Sequence, residues 1–254
     1  MDPMSRIVES VLEQTTEGGR VEGYFRSAGH WEGPVRRGLN EMMRGLEIGD
    51  PNALAEADWS LRHLNWGYRT RLPVGSVRLI ARTALNMVER GGWLHRKPVA
   101  LWGCSEGDVK TLAEFVPEAL DAIREAGVPG RPYSFVTKLL HFCFPESFPI
   151  CDSRAASSIQ MWSYAAYPDG GQDRERFEWG RLADPSGDGY DGVVEFYRRF
   201  WDAASAGQRS ELAERSKEME RIIGARVGIL DLLDKLLWDA KGDPLPLGLR
   251  VVAR

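Results

Sequence analysis

The 254-residue sequence is poor in cysteine and contains no long apolar run. Its three cysteines, Cys104, Cys143 and Cys151, form no CxxC pair, which argues against a disulfide framework and for a reducing compartment. The N-terminus has acids where a secretory signal needs apolar residues, and no later segment reaches about 18 uncharged apolar residues. We therefore expect a soluble, cytoplasmic protein with no membrane partner.

Strand-like alternation, internal repeats, the P-loop and the dinucleotide fingerprint are also missing, so no cofactor is expected. Apolar residues recur instead at helical spacing. This predicts an all-α, multi-helix globular fold, either one unit over residues 1–254 or two packed helical lobes at about 1–126 and 127–254. The predicted helices cover residues 3–15, 35–48, 51–66, 74–90, 107–126 and 134–144, one starting near 153, and 191–204, 207–223 and 226–239. Residues 18–34 and 165–192, rich in glycine and proline or aspartate, are predicted to be a loop and a surface excursion.

Positive charge is concentrated in one segment, although the whole chain has a net charge of −4. Residues 61–100 hold eight basic residues against one acid, Glu89. The basic residues are Arg62, Arg69, Arg71, Arg78, Arg82, Arg90, Arg96 and Lys97. The segment is either a phosphate-contacting surface or a solvated face paired with acids elsewhere, such as Glu106, Asp108 and Glu114. Trp59, Trp66, Tyr68, Trp93 and Trp102 lie in or near it, and some of them could stack on bases while most are expected in the core.

The stretch from 134 to 154 reads SFVTKLLHFCFPESFPICDSR and places two charged residues in an apolar frame. Lys138 lies on a short apolar helix that ends near Pro145, and Asp152 is positioned to cap the helix that follows. Loss of hydration makes a lysine amine a usable nucleophile, and a neighbouring carboxylate can move its proton. The alternative is a structural ion pair. His141 and Phe142 share one side of the helix with Lys138 and could line the same pocket.

This stretch resembles the core of the helix–hairpin–helix DNA glycosylases, particularly the 8-oxoguanine branch, over about residues 127–160. The resemblance rests on a glycine-bearing turn, GVPGRP, followed by a helix carrying Thr137 and Lys138, then Pro145 and an aspartate heading the next helix. It implies that Lys138 attacks the sugar C1′ as a Schiff-base nucleophile and that Asp152 assists. It also implies that the turn, with Gly127, Gly130 and Arg131, grips DNA phosphate through backbone N–H groups.

The sequence also contains partial matches to two metal sites and to a catalytic triad. The segment 184–195 matches a calcium loop at Asp184, Ser186, Asp188, Gly189 and Glu195, but Asp191 occupies a position that is normally apolar. Cys143, Cys151 and His141 lack the spacing of a zinc site. Ser153 has no nucleophile elbow around it, so His141, Asp152 and Ser153 are a weak triad. We predict no bound metal.

These observations together predict a DNA-binding protein that excises a damaged base from duplex DNA, with Lys138 and Asp152 as catalytic residues. Arg62, Arg69, Arg71, Arg78, Arg82, Arg96 and Lys97 would hold the DNA backbone. A non-catalytic nucleic-acid-binding or protein-interaction module is the alternative.

Overall fold

A computed structural model describes residues 2–68, 70, 72–90, 100–128, 132–184 and 186–249, without the side chains of Val74 and Glu106. Every regular element in this part of the chain is helical, and no strand occurs in it, as the sequence predicted. The helices are α1 (Pro3–Gln14), α2 (Arg20–Glu47), α3 (Ala53–Glu56), α4 (Asp58–Gly67), α5 (Val74–Arg90), α6 (Glu106–Glu125), α7 (Tyr133–Cys143), α8 (Ser153–Ala166), α9 (Gln172–Glu175), α10 (Trp179–Leu182), α11 (Tyr190–Ala203), α12 (Ala206–Ile223) and α13 (Ile229–Ala240). Short 3₁₀ turns lie at Leu101–Gly103 and Leu245–Leu247.

Side-chain caps fix several of the helix starts. The Asp2 carboxylate accepts hydrogen bonds from the N–H groups of Met4 and Ser5 at the start of α1. Ser105 opens α6 and Ser205 opens α12, each in a capping box with the residue three positions later. Such reciprocal bonds satisfy backbone donors that a helix leaves free at its first turn. Local chemistry therefore determines where these helices begin.

The prediction of a loop over residues 18–34 was wrong, because α2 runs without interruption from Arg20 to Glu47 and contains Pro34. Val21, Phe25, Ala28 and Val35 are buried at helical spacing along one face. That continuous buried face outweighs the weak helix propensity of the glycines and the hydrogen bond that Pro34 cannot donate. Glycines in this helix also allow close packing against α12.

One apolar core extends through the described residues, from Met4 near the N-terminus to Leu249. Helix α2 packs against α4 and α7 and also against α12 and α13. Helices that precede residue 126 and helices that follow it therefore contact the same helix. The interior around α2, α7 and α13 is where buried charged residues gather. None of the described helices combines the length and apolar character that a membrane crossing requires.

Residues 165–192 are less of a surface excursion than predicted. The short helices α9 and α10 lie in this segment, and Phe177 and Leu182 within it are fully buried. The Phe177 ring packs edge-on against Trp162 of α8 at 5.0 Å between ring centroids. The segment therefore packs on α8 through its buried residues, while positions such as Pro168, Asp169 and Gln172 are exposed.

Candidate functional site

Lys138 and Asp152 lie together, with the Lys138 Nζ atom 2.9 Å from the Asp152 Oδ2 atom. The lysine lies on α7, where nearly every residue is buried, and only 2% of its side chain is exposed. Its ammonium also donates a hydrogen bond to Ser134 Oγ at 2.7 Å and lies 5.2 Å from the centre of the Tyr68 ring. Two oxygen acceptors and an aromatic face therefore surround the charge.

Asp152 caps α8 and pairs with Lys138 at the same time. Its Oδ1 atom accepts hydrogen bonds from the N–H groups of Arg154 and Ala155, at 3.0 and 3.1 Å. Burial alone would raise the pKa of this carboxyl group, but the Lys138 charge and the two N–H groups outweigh it, so the pKa lies below its usual value. Asp152 is thus held as a carboxylate, and 13% of its side chain is exposed.

The turn between α7 and α8 is tied to the helices at both ends. Thr137 Oγ1 accepts a hydrogen bond from the Cys151 N–H and donates one to the Cys151 carbonyl oxygen, at 3.3 and 3.2 Å. The Tyr190 hydroxyl of α11 donates to the Pro149 carbonyl oxygen at 2.7 Å. Because Thr137 precedes Lys138 and Cys151 precedes Asp152, these bonds fix the distance between the two charged residues.

His141 and Phe142 lie in a different environment from the one expected beside Lys138. The His141 ring is fully buried, with Nε2 2.7 Å from Asp231 Oδ1 and Nδ1 2.8 Å from the Phe148 carbonyl oxygen. The Phe142 ring lies under the Arg36 guanidinium, whose central carbon is 4.0 Å from the ring centre. Both residues therefore contact a second group of buried charges.

We call that group the ionic core. It consists of Glu32, Arg36, His141, Asp231, Asp234 and Lys235, with the hydroxyl groups of Tyr24 and Tyr68. Arg36 is 1% exposed and is paired with both Glu32 and Asp231. Burial would raise the pKa of Asp231, but the Arg36 charge and His141 lower it strongly. Burial acts likewise on Glu32, and the Lys235 and Arg36 charges lower its pKa.

Tyr68 connects the ionic core to the Lys138–Asp152 pair. Its hydroxyl donates to Glu32 Oε2 at 2.8 Å and accepts from Lys235 Nζ at 2.9 Å. The Nζ atom of Lys235 lies 5.1 Å from the centre of the same ring that Lys138 approaches. Two buried lysines, Lys138 and Lys235, therefore share the Tyr68 ring. The Asp234 carboxyl lies 3.4 Å from Lys235, and burial raises its pKa.

The sequence patterns single out only His141 and Tyr68 among the members of the ionic core, and they assign other roles to both. A usable signal was present in α13, ILDLLDKLLWDA, where Asp231, Asp234 and Lys235 interrupt an otherwise apolar helix that has to be buried. Charged residues in such a helix require partners of opposite charge. Glu32 had no such signal because it lies in the segment predicted to be a loop. Arg36 had none because it opens the predicted helix 35–48 beside another arginine, Arg37.

Three of the predicted DNA-binding arginines are described and exposed. Arg62 and Arg78 both pair with Asp58, at 2.7 and 3.0 Å, which links α4 to α5. Arg82 lies one turn beyond Arg78 and pairs with no acid in the described part of the chain. Arg69, Arg71, Arg96, Lys97, Gly130 and Arg131 lie outside the described residues. Gly127 ends the turn after α6 with a φ of +81°, a conformation that favours glycine.

In the segment 184–195, which matches a calcium loop in sequence, two acidic side chains pair with arginines. Asp191 is paired with Arg176 and Arg181, and Glu195 is paired with Arg198 and Arg199. Glu195 also lies inside α11, which begins at Tyr190. Among the described residues, no group of three or more His, Cys, Asp or Glu side chains is arranged to hold a metal ion.

Comparisons of this chain with protein-family models, with curated proteins and with solved structures found no match. The candidate site is therefore interpreted from the geometry and chemistry of its residues alone. Two features could carry a function: the lysine–aspartate pair at the start of α8 and the exposed basic surface on α4 and α5.

Proposed function

We propose that this protein binds DNA and excises a damaged base through Lys138 and Asp152. The observation that carries the proposal is the contact between the Lys138 ammonium and the Asp152 carboxylate at the N-terminus of α8. Asp152 is the one carboxylate in contact with that ammonium among the described residues, so it is the group that can take its proton. The resemblance of residues 127–160 to DNA glycosylases assigns these same two residues to that chemistry.

In this mechanism, a proton moves from the Lys138 ammonium to Asp152 and leaves a neutral amine. The amine forms a bond to C1′ of the nucleotide while the glycosidic bond breaks, and the base leaves with the bonding electrons and takes the proton from Asp152. The nitrogen of Lys138 then returns a proton to Asp152. The C1′–O4′ bond of the sugar breaks, O4′ keeps its electrons and takes that proton, and an iminium remains between Lys138 and C1′. Since the Lys138 side chain is 2% exposed, the nucleotide has to displace the groups that cover it, of which Tyr68 is one.

Borohydride trapping tests the proposal, because it reduces the iminium to a stable amine that joins protein to DNA. We expect wild-type protein to give a covalent adduct on duplexes containing 8-oxoguanine, other base lesions or an abasic site. Lys138→Arg keeps the positive charge beside Asp152 but cannot form the iminium, so its adduct should be absent. Lys235→Arg is the matched control at the second buried lysine and should keep the adduct. No wild-type adduct on any of these duplexes contradicts the proposal.

Nucleic-acid binding without chemistry is the second candidate function. It is favoured by the burial of Lys138 and by its full set of contacts, which also suit a structural ion pair. Asp152→Asn helps to separate the two candidates, since asparagine caps a helix about as well as aspartate. Trapping that slows by roughly 100-fold or more in this variant supports proton transfer by Asp152, whereas DNA binding without any adduct supports the second candidate.

A further inference from the structure

Helix α4 displays aromatic rings to solvent on the side opposite its buried face. Trp59 is 48% exposed and Trp66 is 74% exposed, whereas Ser60, Leu61 and Leu64 of the same helix are buried. Trp59, His63 and Trp66 are spaced by four and three residues, which places them on one face of the helix. Exposed aromatic surface of this kind is costly in water and typically marks an interaction site.

The three rings form a continuous aromatic surface. His63 stacks on Trp59 with ring centroids 3.9 Å apart and planes 26° apart, and it meets Trp66 edge-on at 6.4 Å. The His63 Nδ1 atom is 2.8 Å from the Trp59 carbonyl oxygen, so the ring is held in this position. Seven residues of helix separate the two tryptophans by about 10.5 Å, roughly the length of three nucleotides in a stacked strand.

Three exposed arginines accompany the aromatic surface on α4 and α5. Arg62 shares the face of α4 with the rings by its spacing, Arg78 is joined to α4 through Asp58, and Arg82 follows Arg78 by one turn of α5. Arg62, Arg78, Arg82 and the carboxylate of Asp58 together carry a net charge of +2. The Asp58 side chain, which pairs with both Arg62 and Arg78, is 27% exposed. The side chains of Arg62 and Arg78 are 54% and 45% exposed.

We propose that Trp59, His63 and Trp66, with Arg62, Arg78 and Arg82, form a binding surface for unpaired nucleic-acid bases. Aromatic rings stack on any exposed base, and neighbouring arginines contact the phosphates that connect the bases. Paired bases inside a duplex present no free face to the rings, so the partner is a single strand or an unpaired region. This inference rests on the nucleic-acid-binding part of the proposed function and does not require excision.

The charge on this surface is what favours a nucleic acid over a protein partner. An apolar protein partner would meet two tryptophans but would leave the Arg82 charge without a partner in the interface, which is unfavourable. A polyanion whose repeating unit contains one ring and one phosphate complements both features. The same chemistry predicts little preference for base sequence, since every base has a π-face.

Fluorescence anisotropy with a labelled single strand of about 15 nucleotides and with the matching duplex tests the inference. We expect Trp59→Ala and Trp66→Ala each to weaken single-strand binding by about 5-fold to 150-fold. Duplex binding should change much less. Leu245→Ala, which removes another strongly exposed apolar side chain far along the chain, is the matched control and should bind like wild type. Circular dichroism confirms that each variant is folded.

Arg82→Gln provides an independent measurement at two salt concentrations, because loss of one phosphate contact lowers the salt dependence of binding by about one counterion. Single-strand affinity that stays within about twofold of wild type in a Trp59→Ala/Trp66→Ala double variant overturns the inference. Equal losses for single strand and duplex also overturn it. Single-strand binding is measured without borohydride and requires no covalent adduct, so the two proposals fail separately.

Discussion

At the residue scale, Arg36 is the side chain on which the ionic core depends. Its guanidinium is buried between the Glu32 and Asp231 carboxylates and above the Phe142 ring. Removal of one member of a buried ion pair leaves the other charge without compensation. Arg36 therefore joins α2, α7 and α13, and α7 also carries Lys138.

We expect Arg36→Met to lower the free energy of unfolding by about 3 to 5 kcal/mol, since the buried Glu32 and Asp231 carboxylates each lose a positively charged partner. Urea unfolding followed by circular dichroism measures this loss. Arg37→Met is the matched control on the next residue of α2, where the exposed side chain donates one hydrogen bond to the Gly224 carbonyl oxygen. Its cost should stay below about 1 kcal/mol. Equal losses in the two variants would show that the buried pairs contribute little.

The contact between Lys138 and Asp152 could be predicted from sequence, whereas the partners of His141 could not. The first depends on a short apolar helix, two prolines and a capping residue within one continuous stretch. The second joins His141 to Asp231, 90 positions away, and no local pattern specifies that pairing. Local rules identify the groups that need a partner, and the tertiary packing decides which partner they find.

At the element scale, the glycines of α2 show why the first part of that helix, up to Pro34, was predicted to be a loop. A Cβ atom added at Gly33 would lie 2.2 Å from the Ile223 carbonyl oxygen at the end of α12, and one added at Gly45 would lie 2.6 Å from the Ala53 Cβ atom. These glycines permit close approach of backbones instead of breaking the helix. Single-residue propensity carries no information about such neighbours.

Two substitutions in α2 test this interpretation. We expect Gly33→Ala to lower the free energy of unfolding by about 1 to 3 kcal/mol, because α12 has to move away from the new methyl group. Alanine before Pro34 is also disfavoured in a helix. Gly23→Ala is the matched control, since nothing lies within 4 Å of its added Cβ atom. It should stabilise the protein by about 0.5 to 1 kcal/mol through helix propensity alone. Thermal unfolding measures both changes. A loss of stability in Gly33→Ala together with a gain in Gly23→Ala distinguishes close packing from a simple glycine effect.

At the scale of the whole molecule, two sets of buried carboxyl groups make opposite contributions to stability. Glu32, Asp152 and Asp231 have lowered pKa values, so their contribution is present above about pH 4 and is lost as the pH falls below it. Burial raises the pKa of Glu146 from 4.5 to about 7, with a further rise from the Asp231 charge. Its contribution is complete below its unfolded pKa and is lost as the pH rises to about 7. We therefore expect maximal stability in weakly acidic solution.

Glu146→Gln should remove the part of the alkaline loss of stability that Glu146 causes, while Asp234, whose pKa is also raised by burial, keeps its own part. The Glu146 Oε2 atom has no hydrogen-bond partner among the described residues, so ionisation leaves a poorly solvated charge near Asp231. Glutamine is neutral at every pH, and we expect it to raise the free energy of unfolding at pH 8 by about 1 to 3 kcal/mol relative to wild type. The two proteins should have similar stability near pH 4, where the Glu146 carboxyl is protonated in both the folded and the unfolded chain.

Urea unfolding at a series of pH values measures both profiles. Glu125→Gln, at an exposed carboxyl at the end of α6, is the matched control and should keep the wild-type profile because an exposed charge contributes little. A constant difference between Glu146→Gln and wild type at all pH values would mean that packing, and not ionisation, causes the change. A difference that grows between about pH 4.5 and 7 would instead assign that part of the alkaline loss of stability to this single buried carboxyl, which lies in the turn that positions Asp152.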